Sequence, residues 1–369
     1  MIIKIDALDT LFFRDGKPFS MGENHWTDSI FPPNPSTIYG ALRTAYFSQN
    51  IEVFQDLKKN NLLNSDKDLT KKLIIKNLFY RLNSGSYCYS MPRDLIKLKD
   101  IPNEERKDEE KAKKYKVYSL DTIENHGNNS NPLKYLLYHN KHVQGVEGGI
   151  IESGDLNNYI NGDTNDLKTC KLNDYYADEA KVGIGINKST KTSKDSKLYR
   201  IDMLRLKNIS LVVDFEGFKL KDKDIIKLGG ERKYANYEKL DKYDISEGEI
   251  ERPSLLNNGF KLCLLTPALF EKGWMPCSIN EDEGFVMRNE RFEIKLVAAA
   301  VGKYGLVGGY DMAKNKAKPM LKSVPGGSTY YFEIIRGDEK EIIEHFHLKS
   351  LSDIKPEEGY GIVVVAKWR

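Results

Sequence analysis

In the first half of this chain, apolar segments follow one another in the order strand, helix, strand, strand, helix, strand, an order few folds accommodate and one with which the second half is compatible. In the first half, MIIKIDALDTLFF (1–13) alternates as an opening strand. Asn34-Pro35-Ser36 then reads as a helix start, with Asn34 at the cap and Pro35 at the first helical position, where the missing N–H is no loss. Ile38, Ala41, Leu42, Ala45 and Tyr46 fall on one face of that helix. After a long polar interruption, LYRIDMLRL (198–206) and NISLVVDFEG (208–217) read as a hairpin. Residues 222–228 follow as a second helix stopped by Gly229-Gly230, and Tyr234–Leu240 as a closing strand.

The second half is compatible with the same order. GFKLCLLTPALF (259–270) and FEIKLVAAAVG (292–302) are strong strands, and SVPGGSTYYFEII (323–335) is a glycine turn into an aromatic, β-branched strand. DEKEIIEHFHL (338–348) has helical spacing, and GYGIVVVAKW (359–368) closes as a buried strand. The order βαββαβ is that of a ferredoxin-like unit. The sequence therefore predicts an α+β protein of two ferredoxin-like, RRM-like domains, 1–250 and 251–369, with a long insertion at about 51–180 in the first. The halves repeat in pattern only, without sequence repetition. Within the insertion, NEERKDEEKAKKYK (103–116) reads as a solvated helix face or loop. SGSYCYSMPRDLIKL (84–98) and NNYINGDTNDLKT (157–169) read as strand–loop decoration rather than a separate core.

Charge is unevenly spread. The 369 residues carry a formal net charge of only +3. Residues 181–207 hold Lys181, Lys188, Lys191, Lys194, Lys197, Arg200, Arg205 and Lys207 against Asp195 and Asp202, a charge of +6. Residues 303–322 hold Lys303, Lys314, Lys316, Lys318 and Lys322 against Asp311, a further +4. The remainder is acidic, at −7. Two basic segments in an otherwise acidic protein make the electrostatic footprint expected of a nucleic-acid partner. Lysines and hydroxyls in loops suit a phosphate backbone without reading sequence.

Other classes are disfavoured. Cys88, Cys170, Cys263 and Cys277 are widely spaced with no CxxC pair, which argues against a disulfide framework or structural zinc and fits a reducing cytoplasm. Met-Ile-Ile-Lys-Ile lacks the form of a signal peptide, and no apolar run approaches the roughly 18 residues that span a bilayer. A GxxxxGK[ST] phosphate loop is absent, as are a His-Asp dipeptide and a Gly-Gly-Asp-Asp run. His139 and His142 are three residues apart but lack a carboxylate or cysteine partner in sequence. The aromatic RNP signature is also missing, so RNA contact through loops is expected rather than through a sheet-face platform.

Several stretches in fixed order carry a family resemblance. They are LDTLFFRDGKPFSMGENHW with FPPNPSTIYGALR (8–43), VGIGINKSTKT with LYRIDMLRL, LGGERKYANYEKL (228–240) and GLVGGYDMAKNKAKPMLKSVPGGSTYYFE (305–333). Together they resemble the family of third subunits of the Cmr module. These are RAMP-superfamily proteins, Cas-five-like, of type III-B CRISPR RNA-guided antiviral effector complexes. The resemblance leaves only the 51–180 insertion unmatched. It implies a non-catalytic RNA-binding subunit of two ferredoxin-like domains, without cofactor or metal. Such a subunit clamps the 5′ handle of the CRISPR RNA at the foot of the complex. It joins the backbone RAMP subunits to the large polymerase-like subunit, with no membrane or small-molecule substrate.

The candidate RNA contacts fall in five places. Arg14 and Lys17 lie in the loop after the first strand. Ser36 stands at the helix start, whose amides could receive a phosphate, and Arg43 lies on a similar face, equally suited to a structural ion pair. Gly183 and Gly185 admit close backbone approach, with Lys188, Thr190, Lys191 and Thr192 set to meet phosphates and ribose hydroxyls. Gly230 and Arg232 belong to the turn after residue 228, where Glu231 orients the arginine or the turn is a simple stop. In the second half, Lys314, Lys316 and Lys318 follow Tyr310, which either stacks on an unpaired base or packs in the core, and Gly326-Gly327 form the next turn. The alternative class is a metal-independent endoribonuclease that processes CRISPR precursor RNA with His25 as proton shuttle. No partner for His25 is evident, and 2′-hydroxyl attack needs both a proton acceptor and a stabiliser for the leaving oxygen.

Overall fold

A computed structural model describes residues 1–14, 26–100, 107–108, 113–127, 132–187, 189–190, 192–241, 246–254, 258–311 and 316–368. The first half opens with β1 (Ile2–Ala7), α1 (Pro35–Gln49), α2 (Ile51–Lys59), β2 (Ile74–Leu82) and β3 (Tyr87–Ser90). Next come β4 (Tyr115–Lys116), β5 (Gly149–Glu152), α3 (Ser153–Ile160) and β6 (Lys168–Lys171). The half ends with β7 (Tyr176–Ile186), β8 (Ser193–Leu206), β9 (Ile209–Glu216), β10 (Lys223–Lys227) and β11 (Tyr234–Lys239). The second half contains β12 (Gly259–Leu264), β13 (Val286–Arg288), β14 (Glu293–Ala300), β15 (Gly305–Val307), β16 (Leu321–Ser323), β17 (Thr329–Arg336), α4 (Glu339–Phe346), β18 (Lys349–Ser350) and β19 (Ile362–Lys367). The result is a mixed α/β protein with few helices and many antiparallel strands.

Two sheets organise these elements. A nine-stranded sheet runs β10-β11-β1-β9-β2-β3-β5-β6-β4, and a six-stranded sheet runs β13-β14-β17-β12-β19-β18. At the centre of the first, β1, β2, β9 and β11 stand in the order fourth, first, third, second, all neighbours antiparallel. The same order appears in the second sheet for β12, β14, β17 and β19. Each unit has one of the two expected helices: α1 between the first and second strands of one, α4 between the third and fourth of the other.

Helix α1 forms as the sequence dictates. Pro35 occupies its first turn, and Ile38, Ala41, Leu42, Ala45 and Tyr46 are buried against the first sheet beside Ile3, Ile5, Leu211 and Val213. Asn34 stands at the N-cap position, but its side chain makes no capping hydrogen bond.

Three expectations are corrected. Residues 222–228 are not a helix: Lys223–Lys227 is strand β10, paired along its length with β11. Ile226 and Leu228 are fully buried while Ile225 is exposed, a two-residue period that suits a strand. Gly229-Gly230 then turns one strand into the next rather than ending a helix, with Leu228 N–H donating to Lys233 O at 3.0 Å. The 198–206 and 208–217 segments are not a hairpin either. β8 pairs with β7, and β9 lies between β1 and β2. Asn208, at φ 58°, turns the chain from one ladder into the other.

The 51–180 stretch is more than decoration. It supplies β2, β3, β5, β6 and β4 to the nine-stranded sheet. Its Phe79, Tyr89, Leu156 and Tyr159 share one core with Cys263, Ile362 and Val364 of the second sheet and with Leu265 just beyond β12. Most of the 103–116 charge run lies outside the described residues, and its last two residues are β4.

Candidate nucleic-acid interface

β7 and β8 form a long antiparallel ribbon in a sheet separate from both large ones, with Trp26–Thr27 as a short third strand running parallel beside Arg200 and Ile201. Register runs unbroken from Tyr176 opposite Leu206 to Ile184 opposite Leu198. One face presents the exposed apolar side chains of Val182, Ile184 and Leu198. On the other, Tyr199 lies over Gly183, where a Cβ would sit 2.3 Å from the Tyr199 Cζ. The space beside Gly183 is therefore taken by the chain's own ring. Gly185 lies on β7 at the register irregularity between Ile184 and Ile186. In the connection, Thr190 and Thr192 are exposed with their hydroxyls 2.8 Å apart, while Lys188 and Lys191 lie outside the described residues.

The root of the ribbon gathers other candidates. Leu11 pairs with Leu204 through reciprocal 2.8 Å hydrogen bonds, and Phe12 packs with Ile201 and Met203. Gly230 N–H donates to Phe12 O at 2.8 Å, and a Cβ at Gly230 would meet the Phe12 ring at 2.8 Å. Glu231 and Arg232 are left-handed, at φ 51° and 54°, and Arg232 is exposed. Arg14 is exposed two residues beyond Phe12, in a bridge with Ser29. Arg14, the ribbon root and the 229–232 turn thus meet in one place. Lys17 and His25 lie outside the described residues.

Acidic partners neutralise much of this root. Arg205 is held by Glu179 at 2.6 Å and by Asp9 at 3.2 Å, Arg200 by Asp202 at 2.8 Å, and Lys181 by Glu231 at 3.7 Å. Lys233 also reaches Asp9 at 3.0 Å, and that hydrogen bond, with others, holds the Asp9 carboxyl at about 2. Among the ribbon's eight cations, those in the Lys188–Lys197 stretch face only Asp195 in sequence.

Ser36 and Arg43 are engaged within the protein. Ser36 Oγ donates to Glu358, stands 3.1 Å from Tyr360 Oη and accepts from Lys355 Nζ at 3.2 Å. A carboxylate from the second half therefore stands at the start of α1. Arg43 donates to buried Asp68 at 3.0 Å, Thr70 at 2.8 Å and Asn64 at 2.8 Å, the structural ion pair of the two readings.

In the second basic segment, Tyr310–Asp311 pairs with Lys316–Ala317 as a short ladder. The side chains of Tyr310 and Lys316, and the whole of Lys314, lie outside the described residues. Lys318 is exposed, its N–H donating to Gly309 O at 2.9 Å. Gly326 and Gly327 press against the chain's own atoms, Gly326 against Ser90 Oγ. Gly327, at φ 82°, accepts from Arg93 N–H at 2.8 Å, and a Cβ there would lie 2.2 Å from Met91 O.

Sequence reasoning missed two features. A cavity of about 460 Å³ opens between the sheets, lined by Phe79, Met91, Leu211, Leu265, Pro325 and Arg93. Burial pulls the Arg93 pKa down, and its Nε has no hydrogen-bond partner among the described residues. The second feature is Tyr304, whose ring is exposed within the 303–322 basic segment. Its place in that segment is a usable signal, but Tyr310, just after Gly308-Gly309, carries the stronger local one. Among the described residues, no three His, Cys, Asp or Glu side chains could hold a metal ion, and no helix is long and apolar enough to cross a membrane.

Comparison with known proteins places the chain. The family model for the CRISPR-associated protein Cas_Cmr3 matches residues 3–368. Two solved structures of the type III-B Cmr-beta complex bound to cognate target RNA, one also with AMPPnP, contain a chain 19% identical. That likeness covers 94% of this chain and 88% of the other, with TM-scores of 0.48 for the AMPPnP structure and 0.49 for the second. A Csm3–Csm4 subcomplex of the type III-A interference complex is 12% identical over 100% of this chain and 99% of the other, with a TM-score of 0.34. No curated protein matches the chain.

Proposed function

The chain belongs to the Cas_Cmr3 family of CRISPR-associated proteins, and from that membership we propose that it is a non-catalytic RNA-binding subunit that clamps the 5′ handle of a CRISPR RNA. Its partners are the backbone RAMP subunits and the large polymerase-like subunit of a type III-B effector complex in the cytoplasm. The two four-stranded units are read as ferredoxin-like domains, 1–250 and 251–369, each lacking one helix. What supports this is their shared strand order, fourth, first, third, second.

The observation that carries the RNA reading is the division of charge along the ribbon. Its root cations are satisfied by Glu179, Asp9, Asp202 and Glu231. Lys188, Lys191, Lys194 and Lys197, opposed in sequence only by Asp195, are read as the cations that neutralise phosphates. Beside the root stand Arg14 and Arg232.

The test is to pull down a tagged copy expressed with its native neighbours, and to sequence the RNA and identify the proteins it carries. Short RNAs sharing one 5′ end, together with effector subunits, are expected. Protein alone with cleaved precursor would return the endoribonuclease with His25 to the front. In a binding assay, Lys188→Ala with Lys191→Ala should flatten the log–log salt dependence by about one unit per lost phosphate contact. Arg205→Ala should leave the slope unchanged. Affinity lost at unchanged slope in the lysine variant would overturn the phosphate assignment.

A further inference from the structure

We propose that Tyr304 is a stacking platform for an unpaired base of single-stranded RNA, with Lys322 covering one face of its ring and a base taking the other. The inference rests on the RNA-binding reading above and names a contact that reading does not contain.

Tyrosine in this protein is mostly a core residue. Tyr87, Tyr89, Tyr159, Tyr237, Tyr330, Tyr331 and Tyr360 are among its largest fully buried side chains. Tyr304 departs from that use: its relative exposure is 53%. It immediately precedes β15, whose pairing with β16 sets Leu306 opposite Lys322. From there the Lys322 ammonium reaches 5.0 Å from the Tyr304 ring centroid, within cation–π range. Tyr138 and Tyr234 are also exposed, but neither has a cation over its ring among the described residues.

The surrounding charge selects the occupant. Lys303, Lys318 and Lys322 are all exposed, and among the described residues none has a carboxylate within ion-pair distance. At the ribbon root, by contrast, Lys181, Arg200, Arg205 and Lys233 each have an acid. An exposed aromatic face beside uncompensated lysines attracts a polyanion that carries flat rings, which is single-stranded nucleic acid.

The experiment titrates the full chain with two fluorescent ten-residue probes, oligoadenylate and an abasic ribose-phosphate strand of equal length. Tyr304→Ala should weaken oligoadenylate binding about ten-fold and leave the abasic strand unaffected, with no change in salt slope. Tyr304→Phe should bind like wild type. Lys318→Ala with Lys322→Ala should weaken both probes and flatten the slope. If Tyr304→Ala binds oligoadenylate as wild type does while the lysine variant is impaired, the stacking platform is overturned and the RNA-binding reading stands. If the wild-type chain binds neither probe, both fall. Thermal melts of Tyr304→Ala and Tyr304→Phe matching wild type confirm that the comparison is between folded proteins.

Discussion

Lys261 and Asp94 meet at 3.1 Å with side-chain exposures of 6% and 0%, an ion pair closed off from water between the two halves of the chain. Asp94 follows β3, while Lys261 lies on β12 near the centre of the second sheet. The carboxylate also accepts from Tyr159 Oη at 2.8 Å and Tyr331 Oη at 2.7 Å, and the ammonium sits 3.9 Å from the Tyr159 ring centroid. Burial first, then the neighbouring Asp94 charge, pushes both phenols well above their usual range. The cluster fixes α3 and the 91–98 segment against β12 and β17. A buried pair contributes little net stability when intact, but removing one partner strands the other's charge. Lys261→Met should therefore destabilise by about 3–5 kcal/mol, and the double variant with Asp94→Asn by clearly less than the sum of the singles. Denaturant unfolding of the four proteins in the cycle measures this, and additivity would mean the two side chains are not coupled.

His347 makes stability depend on pH in one direction. Its Nδ1 accepts from Val365 N–H at 3.3 Å, so the neutral ring is the one built into the fold. Burial first, and then Arg252, lower its pKa from 6.5 to about 4. The unfolded chain thus binds this proton more readily than the folded one between pH 6.5 and pH 4. Stability from this site is fully present above pH 6.5 and is lost as pH falls towards 4, by about 3 kcal/mol at most. His347→Gln should remove that part of the slope. The difference between wild-type and variant unfolding free energies at pH 7.5 and pH 5 isolates it from the other titrating groups.

What the sequence made legible follows from the range of each signal. Helix α1 could be read because Pro35 and the spacing of Ile38, Ala41, Leu42 and Ala45 are local. Strands β12, β14, β17 and β19 announced themselves by β-branched and aromatic density. β10 failed because five residues hold too few periods to separate strand from helix, and a glycine pair serves either end. The pairing of β8 with β7 rather than β9 is a long-range choice that two adjacent apolar runs do not encode. The site was partly legible for the same reason. Basic charge is visible in composition, but the acids that cancel it at the ribbon root, Asp9 and Glu231, come from distant positions. Nothing local told Gly183 and Gly327, filled by the chain's own atoms, from glycines open to a ligand.

Thiol chemistry should separate one cysteine from three. Cys88, Cys170 and Cys263 are buried, and desolvation raises all three, Cys263 to about 12. Cys277 is exposed, although its hydrogen bond with Asp353 raises it too. At pH 8 the native chain should take up one equivalent of a maleimide quickly, and the rest only on unfolding. Cys277→Ser should abolish the fast equivalent. Rapid labelling of a second thiol in native protein would mean that a buried strand opens.

Gly327 distinguishes a structural glycine from an RNA-facing one. Its backbone is left-handed at φ 82°, and Gly327 O accepts from Arg93 N–H at 2.8 Å. A Cβ would stand 2.2 Å from Met91 O, a backbone atom that no rotamer change can move aside. Gly327→Ala thus incurs both backbone strain and a displaced 91–93 segment, together about 2 kcal/mol or more. The loss should appear as a lowered melting temperature in protein without RNA, because the neighbour is the protein itself. Replacing Gly183 should be milder, since the atom it meets belongs to the Tyr199 side chain, which can swing away, and Gly183→Ala with Tyr199→Ala should recover most of the stability lost by the glycine change alone. Unchanged melting of Gly327→Ala with impaired RNA binding would instead make Gly327 part of the RNA surface, and the tight turn against Met91 would then not exist in the free protein.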